Sequence, residues 1–436
     1  VLAGLCAADP AVAIPAFSKK YEAPCSLCHE KWPRLTDLGM KFKLNAFQMP
    51  DSEDGGETDK LSPRPDLFLD IGGANPPLSV ILEGGVTLLQ SAQGPEGRQS
   101  DKFLCCVDGS RLSLVAAGTV APNIGYFLSG DLGKGEVTQA VVKFANFFSP
   151  GLLAFDLGAM KVVDNDVVAD GREWFGSPEA ALFGHPRNPA TAVGRPMATS
   201  DTGVRVYGRP GFDMFTYEFG AFTGAAVTDD AEDDNDLAYT FMGRFDIDRF
   251  AMSLRWWTNN SGLTTERATL ADGTALAFAP DPRNPDERSN ELYLSARYRH
   301  PTFALDFALD RMTWNVGSRS AADGAGTLHT WAPGGVVRIG GSVGVIWYAA
   351  EWFQTGLQYA LSRVEQRTDL LDGAATPRPA YNTSLLSWRL EARPVSNLRM
   401  GLEAQFDLTG ADARLRADGT TFDPQNQILF QWDLAL

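Results

Sequence analysis

The stretch Phe303-Ala304-Leu305-Asp306-Phe307-Ala308-Leu309-Asp310 places Phe303, Leu305, Phe307 and Leu309 on one side of the chain and Asp306, Ala308 and Asp310 on the other. Alternation with period two marks a strand whose faces meet different surroundings. Phe250, Met252, Leu254 and Trp256 repeat the pattern against Ser253 and Arg255. Apolar residues on one face and charges on the other suit a barrel with lipid outside and water inside.

Working outward, strands are expected near 79–90, 110–120, 123–132, 137–147, 151–162, 202–209, 212–223, 238–248, 250–260, 290–300, 302–314, 336–348, 351–365, 383–393, 397–408 and 426–436. That makes about sixteen, an even number as single-chain outer-membrane barrels have. Tight links at Ala121-Pro122, Ser149-Pro150, Arg209-Pro210-Gly211, Asp248-Arg249, Pro301, Ala349-Ala350 and Pro394-Val395-Ser396 alternate with long loops at 91–109, 163–201, 224–237, 261–289, 315–335, 366–382 and 409–425. The link near Gly133-Lys134-Gly135 alone is short where a long loop is due. Short-long alternation is what periplasmic turns and extracellular loops produce, and strand parity puts both chain ends on the turn side. Ile428, Phe430, Trp432, Leu434 and Leu436 alternate to the end of the chain, like the terminal strand of an outer-membrane barrel, with Leu in place of the usual final aromatic.

Composition agrees. Hydrophobic residues make up 44% and charged residues 21%, with 43 glycines. Mean hydropathy is -0.15, and no apolar run reaches the roughly 18 residues of a spanning helix. The formal net charge of -16 argues against nucleic acid as a partner, because phosphate binding needs a basic surface. Residues 1–13 are small and apolar and end in Ala11-Val12-Ala13, which reads as the remnant of an export signal cleaved before Ile14. Cys6 follows Leu5, where a lipoprotein site wants a small residue, and belongs with that signal.

The chemistry lies at Cys25-Ser26-Leu27-Cys28-His29. Two cysteines at this spacing can form thioethers to the haem vinyl groups, and the adjacent histidine can ligate the iron, so one covalent c-type haem is expected. A disulfide or half a zinc site would be the plainer reading, but the sequence has no second CxxC, and a redox CxxC needs no histidine. Around the motif, Leu35, Leu38, Phe42 and Phe47 fall near helical spacing, with Thr36 a candidate N-cap. A domain spanning only 14–50 cannot bury a core alone and needs the haem or a host. The acidic stretch 51–78 reads as a linker to the barrel at 79–436.

From Phe17 to Phe47 the pattern Cys-x-x-Cys-His, Trp32-Pro33, Leu35, Gly39, Phe42-Lys43 and Asn45 resembles the N-terminal module of the outer-membrane porin–cytochrome c fusion family, which includes monohaem iron oxidases. The resemblance implies a small α-helical haem segment folded into the lumen from the periplasmic side, bringing the haem within reach of the outer surface. It also implies oxidation of extracellular Fe(II), with electrons passed to a periplasmic carrier. It assigns no second axial ligand. Met49, then Met40, are the sulfurs nearest in sequence, and Met160, Met242 and Met312 have lumen-facing parity. His185, His300 and His329 read as surface histidines, and Asp229 to Asp236 as a solvated acidic loop that could also hold a hard cation. Cys105 and Cys106 stand in the first long loop as a vicinal disulfide or two thiols, and Trp256, Trp257, Trp347, Trp352 and Trp432 read as interfacial anchors. Three functions stay open: an electron conduit or metal oxidase, a transport porin with a gating haem segment, and a periplasmic haem protein with a β-rich domain.

Overall fold

The computed structural model describes residue 17 and residues 24–31, 34–49, 78–91, 100–105, 111–121, 123–163, 165–167, 200–212, 214–226, 237–259, 266–269, 275–278, 288–315, 318–332, 334–365, 367–378, 380–395, 398–408 and 425–435. The signal remnant 1–13, the linker residues 51–77, the acidic loop 229–236, Cys106 and His185 lie outside them.

The strands close into one antiparallel barrel. In chain order they are Leu78–Ser91, Ser100–Cys105 with Arg111–Ala121, Ile124–Asp131, Glu136–Phe147, Leu153–Lys161, Ser200–Gly208, Phe215–Ala226, Ala238–Ile247, Phe250–Asn259, Arg288–His300, Phe303–Asn315, Val336–Ala350, Phe353–Val364, Tyr381–Val395, Leu398–Asp407 and Gln425–Ala435. Closure comes from the last strand against the first, with Phe430 opposite Val86 and Leu434 opposite Leu82. Ser100–Cys105 pairs the far half of Leu78–Ser91 and Arg111–Ala121 pairs its near half, so these two pieces share one of the sixteen positions. This corrects the first long loop, since pairing has already resumed at Ser100 and the backbone of Cys105 lies in a strand.

The faces divide as the alternation requires. Leu254 is 47% exposed on the outer surface and Arg255, one residue on, is fully buried. Leu305, Phe307 and Leu309 point outward, while Asp306 and Asp310 face the lumen, where Arg297 and Arg338 pair with them. Trp257 is buried, unlike its neighbour Trp256, and so is no interfacial anchor. In a period of two, one of two consecutive tryptophans must turn inward. Met160, Met242 and Met312 are inward and buried, as their parity requires. The strand ends at 121–124, 147–153, 208–215, 247–250, 300–303, 350–353 and 395–398 make one rim of short turns, which is also the rim where the barrel begins at Leu78 and ends at Ala435.

The opposite rim carries structure of its own. Glu266–Thr269 and Ala275–Phe278 form a hairpin, and Arg319–Ala322, Leu328–Ala332, Arg367–Leu371 and Ala374–Arg378 form a four-stranded sheet. The expected loops at 261–289, 315–335 and 366–382 thus contain strands beyond the barrel wall.

Replacing Leu309 by Arg sets a charge on the outer face of mid-strand and should destabilise the barrel in lipid by about 2–4 kcal/mol, against about 0–1 for Phe250→Arg beside a turn. Denaturant titration in vesicles, followed by heat-modifiable gel mobility, measures both.

Candidate functional site

Cys25–Cys28 forms a single helical turn, closed by a hydrogen bond from Leu27 N to Pro24 O at 3.0 Å, and His29 leads directly into a short strand that pairs with Arg34–Leu35. Thr36 joins this turn to the helix Asp37–Leu44. Its amide donates to Cys28 O at 2.9 Å, its hydroxyl donates to Leu27 O at 2.8 Å, and the same hydroxyl accepts from Gly39 N at 3.0 Å as the N-cap. The contact is close enough that a Cβ on Gly39 would lie 2.1 Å from Cys28 O.

The segment has two apolar sides. Met40, Leu44 and Ala46 pack against Ala145, Ala154 and Tyr207 of the barrel wall. Phe42, Phe47 and Met49 pack with Phe17, Leu27 and Phe127, the Phe17 ring lying 5.0 Å from both Phe42 and Phe47 and the Phe47 ring 6.1 Å from Phe127. Beyond the helix, Ala46 and Phe47 both take left-handed backbone angles, with φ of 51° and 60°. Non-glycine residues hold such angles only where surroundings impose them. Here Asn45 donates to Gln48 O at 3.0 Å and accepts from Asn146 Nδ2 at 2.6 Å. Gln48 donates to Ala121 O at 3.1 Å and accepts from Asn123 N at 3.0 Å. Gly125 lets Ala46 O approach so closely that a Cβ there would lie 2.3 Å from it.

Polar contacts complete the docking. Arg209 reaches Asp37 at 2.9 Å, Tyr207 donates to Leu44 O at 3.3 Å, and Lys143 Nζ sits 5.5 Å from the centre of the Phe47 ring. Each barrel residue in these contacts lies at or next to the rim of short turns or on the wall above it, so the segment occupies the turn end of the lumen. The described residues of the segment make these contacts at the turn end and on the wall above it, as far up as Phe127.

Cys25 and Cys28 close one helical turn, Cys28 is not in a disulfide, and Cys28 and His29 are half-buried rather than enclosed. This residue set fits a covalent c-type haem: Cys25 and Cys28 would hold it and His29 would ligate its iron. Met49 is buried in the cluster that contains Leu27, whereas Met40 is committed to the barrel wall. His300 lies at the turn rim, its ring stacked on Phe303 and its Nδ1 at 2.8 Å from the Thr302 hydroxyl. His329 lies in the sheet at the loop rim. Asn45 and Gln48, which tie the segment down, escape a sequence reading because their partners stand 73 to 101 residues away.

A second stretch enters the lumen from the loop side. After Leu153–Lys161 the chain turns inward, and Val162 and Val163 pack with Met160, Val141, Phe222, Ala238, Trp257, Tyr293 and Ala308. Phe127 touches both this cluster and the aromatic cluster of the N-terminal segment. Below it the charges pair off. Asp156 binds Lys143 at 2.8 Å and Arg205 at 2.5 Å, Arg255 binds Glu218 at 2.7 Å, and Arg255 also binds Asp166 of the inward strap. Asn165 donates to Glu218 at 2.7 Å, Ser253 donates to Asp166 at 2.9 Å, and Arg244 donates to Asn165 O at 3.1 Å. Charges buried this deeply persist only when paired. On the wall formed by the first and last strands Glu83 and Gln431 stay half-exposed, and Asp433 beside them pairs with Arg399 at 2.5 Å.

No family model and no curated protein matches this chain. Among solved structures, the chain is similar to OmpT, an outer membrane protein of Vibrio cholerae, in its in-vitro folded form: TM-score 0.53, 12% identity, 82% of this chain and 97% of that one. The outer-membrane expressed form of OmpT gives 0.51 at 12% identity, again over 82% and 97%. An anion-selective porin from Comamonas acidovorans gives 0.50 at 13% identity over 82% of this chain and 99% of that one. These likenesses give this chain the fold of an outer-membrane porin.

Two substitutions separate the parts of the lumen. Gly125→Val drives a side chain into Ala46 O and should cost the segment about 1–3 kcal/mol of docking, read as faster amide exchange at 36–49 with the barrel intact. Arg255→Met leaves Asp166 without its cation and Glu218 with Arg205 alone at 4.0 Å, a loss of about 3–5 kcal/mol. It should release the strap and raise single-channel conductance in a planar bilayer; an unchanged conductance would mean that the strap does not narrow the lumen.

Proposed function

We propose that this chain is a bacterial outer-membrane barrel carrying one c-type haem on Cys25 and Cys28, with His29 as axial ligand, and that it passes single electrons from an extracellular donor to a periplasmic carrier. The observation that carries this reading is the docking of the CxxCH segment inside the turn end of the lumen. Short turns face the periplasm in such barrels, so the docking supports a motif open to the side where c-type haem is attached and where a soluble carrier could meet it.

When bound, the haem supplies a one-electron iron centre whose potential follows axial ligation and hydration. The chain's own residues fix its setting. Thr36 and Gly39 hold the CxxC turn against the helix, and Asn45, Gln48 and Asp37 hold the helix against the barrel. The apolar body of Phe17, Leu27, Phe42, Phe47 and Met49 excludes water on one side. Met49 is the proposed second ligand, since Met40 is engaged with the wall, and methionine ligation would raise the potential. By the resemblance of the motif, Fe(II) is the proposed donor.

The porin fold and the half-exposed polar wall around Glu83, Gln431 and Asp433 favour a second reading, in which the barrel transports a solute past a gating haem segment. Proteoliposomes enclosing an oxidised soluble cytochrome distinguish the two. Fe(II) added outside should reduce the enclosed cytochrome with wild-type protein and fail to do so with His29→Ala. Equal reduction by His29→Ala would mean that Fe(II) itself crosses the pore, and transport would replace electron transfer.

A further inference from the structure

The four-stranded sheet at the loop rim consists of two hairpins, Arg319–Ala322 with Leu328–Ala332 and Arg367–Leu371 with Ala374–Arg378. Two paired positions join them, Trp331 with Leu371 and Ala332 with Leu370, with the Thr330 and Asp372 backbones bonded beside these. Beside that narrow junction stands His329. Its Nδ1 lies 2.7 Å from Asp372 Oδ2 in the second hairpin, and its Nε2 lies 3.4 Å from Asp323 Oδ2 in the turn of its own hairpin.

Both carboxylates are fixed by the backbone. Asp372 occupies the first position of a two-residue Asp-Gly turn, with φ of 50° followed by 83° at Gly373, a geometry that glycine and short polar residues favour. Its other oxygen accepts from Thr330 N at 2.8 Å, and its amide donates to Thr330 O at 2.8 Å. Asp323 accepts from Ala325 N at 2.9 Å and Thr327 N at 2.7 Å. Among the described residues, Asp323 and Asp372 are the charged groups that face the ring; Arg319 of the same sheet lies over Trp331 instead.

A neutral imidazole has one N–H and one lone pair, so it can donate to one of these carboxylates but must oppose the other lone pair to lone pair. A single metal ion cannot serve in its place, because the two nitrogens point to opposite edges of the ring. A proton can. We propose that His329 is a proton-operated clasp: as imidazolium it donates to Asp372 and Asp323 together and holds the two hairpins as one sheet over the loop end of the barrel, and on losing a proton it lets them part at the Trp331–Leu371 junction.

The electrostatics agree. The hydrogen bond to Asp372, helped by the one to Asp323, raises His329 above its usual value. The hydrogen bond from His329, then that from Thr330, lowers Asp372, and backbone bonds led by Thr327 lower Asp323. The histidine's contribution is full below its unfolded value of about 6.5 and is lost as pH rises through the raised folded value. The carboxylates' contribution is full above about 3.9 and is lost as pH falls through their lowered values. The clasp is strongest between these limits.

Amide exchange of the full-length protein in lipid nanodiscs, expressed as protection factors for 319–332 and 367–378, tests this at pH 5.5 and pH 8.5. Wild type should lose about tenfold or more of its protection at the higher pH, the order expected for one charge-assisted hydrogen bond. His329→Gln and Asp372→Asn should each show the low protection at both values, with heat-modifiable mobility confirming an intact barrel. Equal wild-type protection at both pH values, or a pH response that survives in His329→Gln or Asp372→Asn, would overturn the clasp.

Discussion

The structure depends on closure of the sheet. Once Gln425–Ala435 pairs with Leu78–Ser91, every barrel strand has a hydrogen-bonded neighbour on both sides, and an apolar outer surface can lie in hydrocarbon without unsatisfied backbone at an edge. Closure also inverts the usual economy of a folded chain. Leu254, Leu309 and Phe241 face outward, while Arg255, Glu218 and Asp156 are enclosed. A closed wall lined by such groups must hydrate them or pair them. Along the wall from Glu136–Phe147 to Phe250–Asn259 they are paired, and the strap with Asp166 supplies one partner.

The same wall makes the N-terminal segment possible. An eight-residue helix with one turn before it has no interior of its own, and it completes one by placing Met40, Leu44 and Ala46 on Ala145, Ala154 and Tyr207. The left-handed angles at Ala46 and Phe47 would be unfavourable in a free peptide. They persist because Asn123, Asn146 and Gly125 receive Asn45, Gln48 and the Ala46 carbonyl. The motif and the barrel are therefore one folding unit in this region, and whatever chemistry Cys25, Cys28 and His29 support takes place in a position that the barrel sets.

The sequence was most legible where a residue's role follows from parity. Alternation at 250–256 and 303–310 sufficed to orient whole strands, and it put Met160, Met242 and Met312 inside. It was less legible where parity was set aside, as at Trp257, whose type suggested an anchor while its position pointed inward. The strap could not be read, because Val162, Val163 and Asp166 follow a strand without any periodic signal and find their partners on distant strands. The short strands of the loop rim have too few residues for a period, although Asp372-Gly373 is a turn signal in plain view. In the N-terminal segment the cap at Thr36 was legible from local sequence, and the anchors Asn45 and Gln48 were not, because barrel residues satisfy them.

The proposed electron transfer requires a covalent haem on the segment docked in the lumen of this porin-like barrel. Peptide mapping by mass spectrometry, on protein purified from a host with c-type haem maturation, tests it most directly. One haem per chain, attached through Cys25 and Cys28, is expected. An intact chain without added haem, with both thiols free to alkylation, would contradict it.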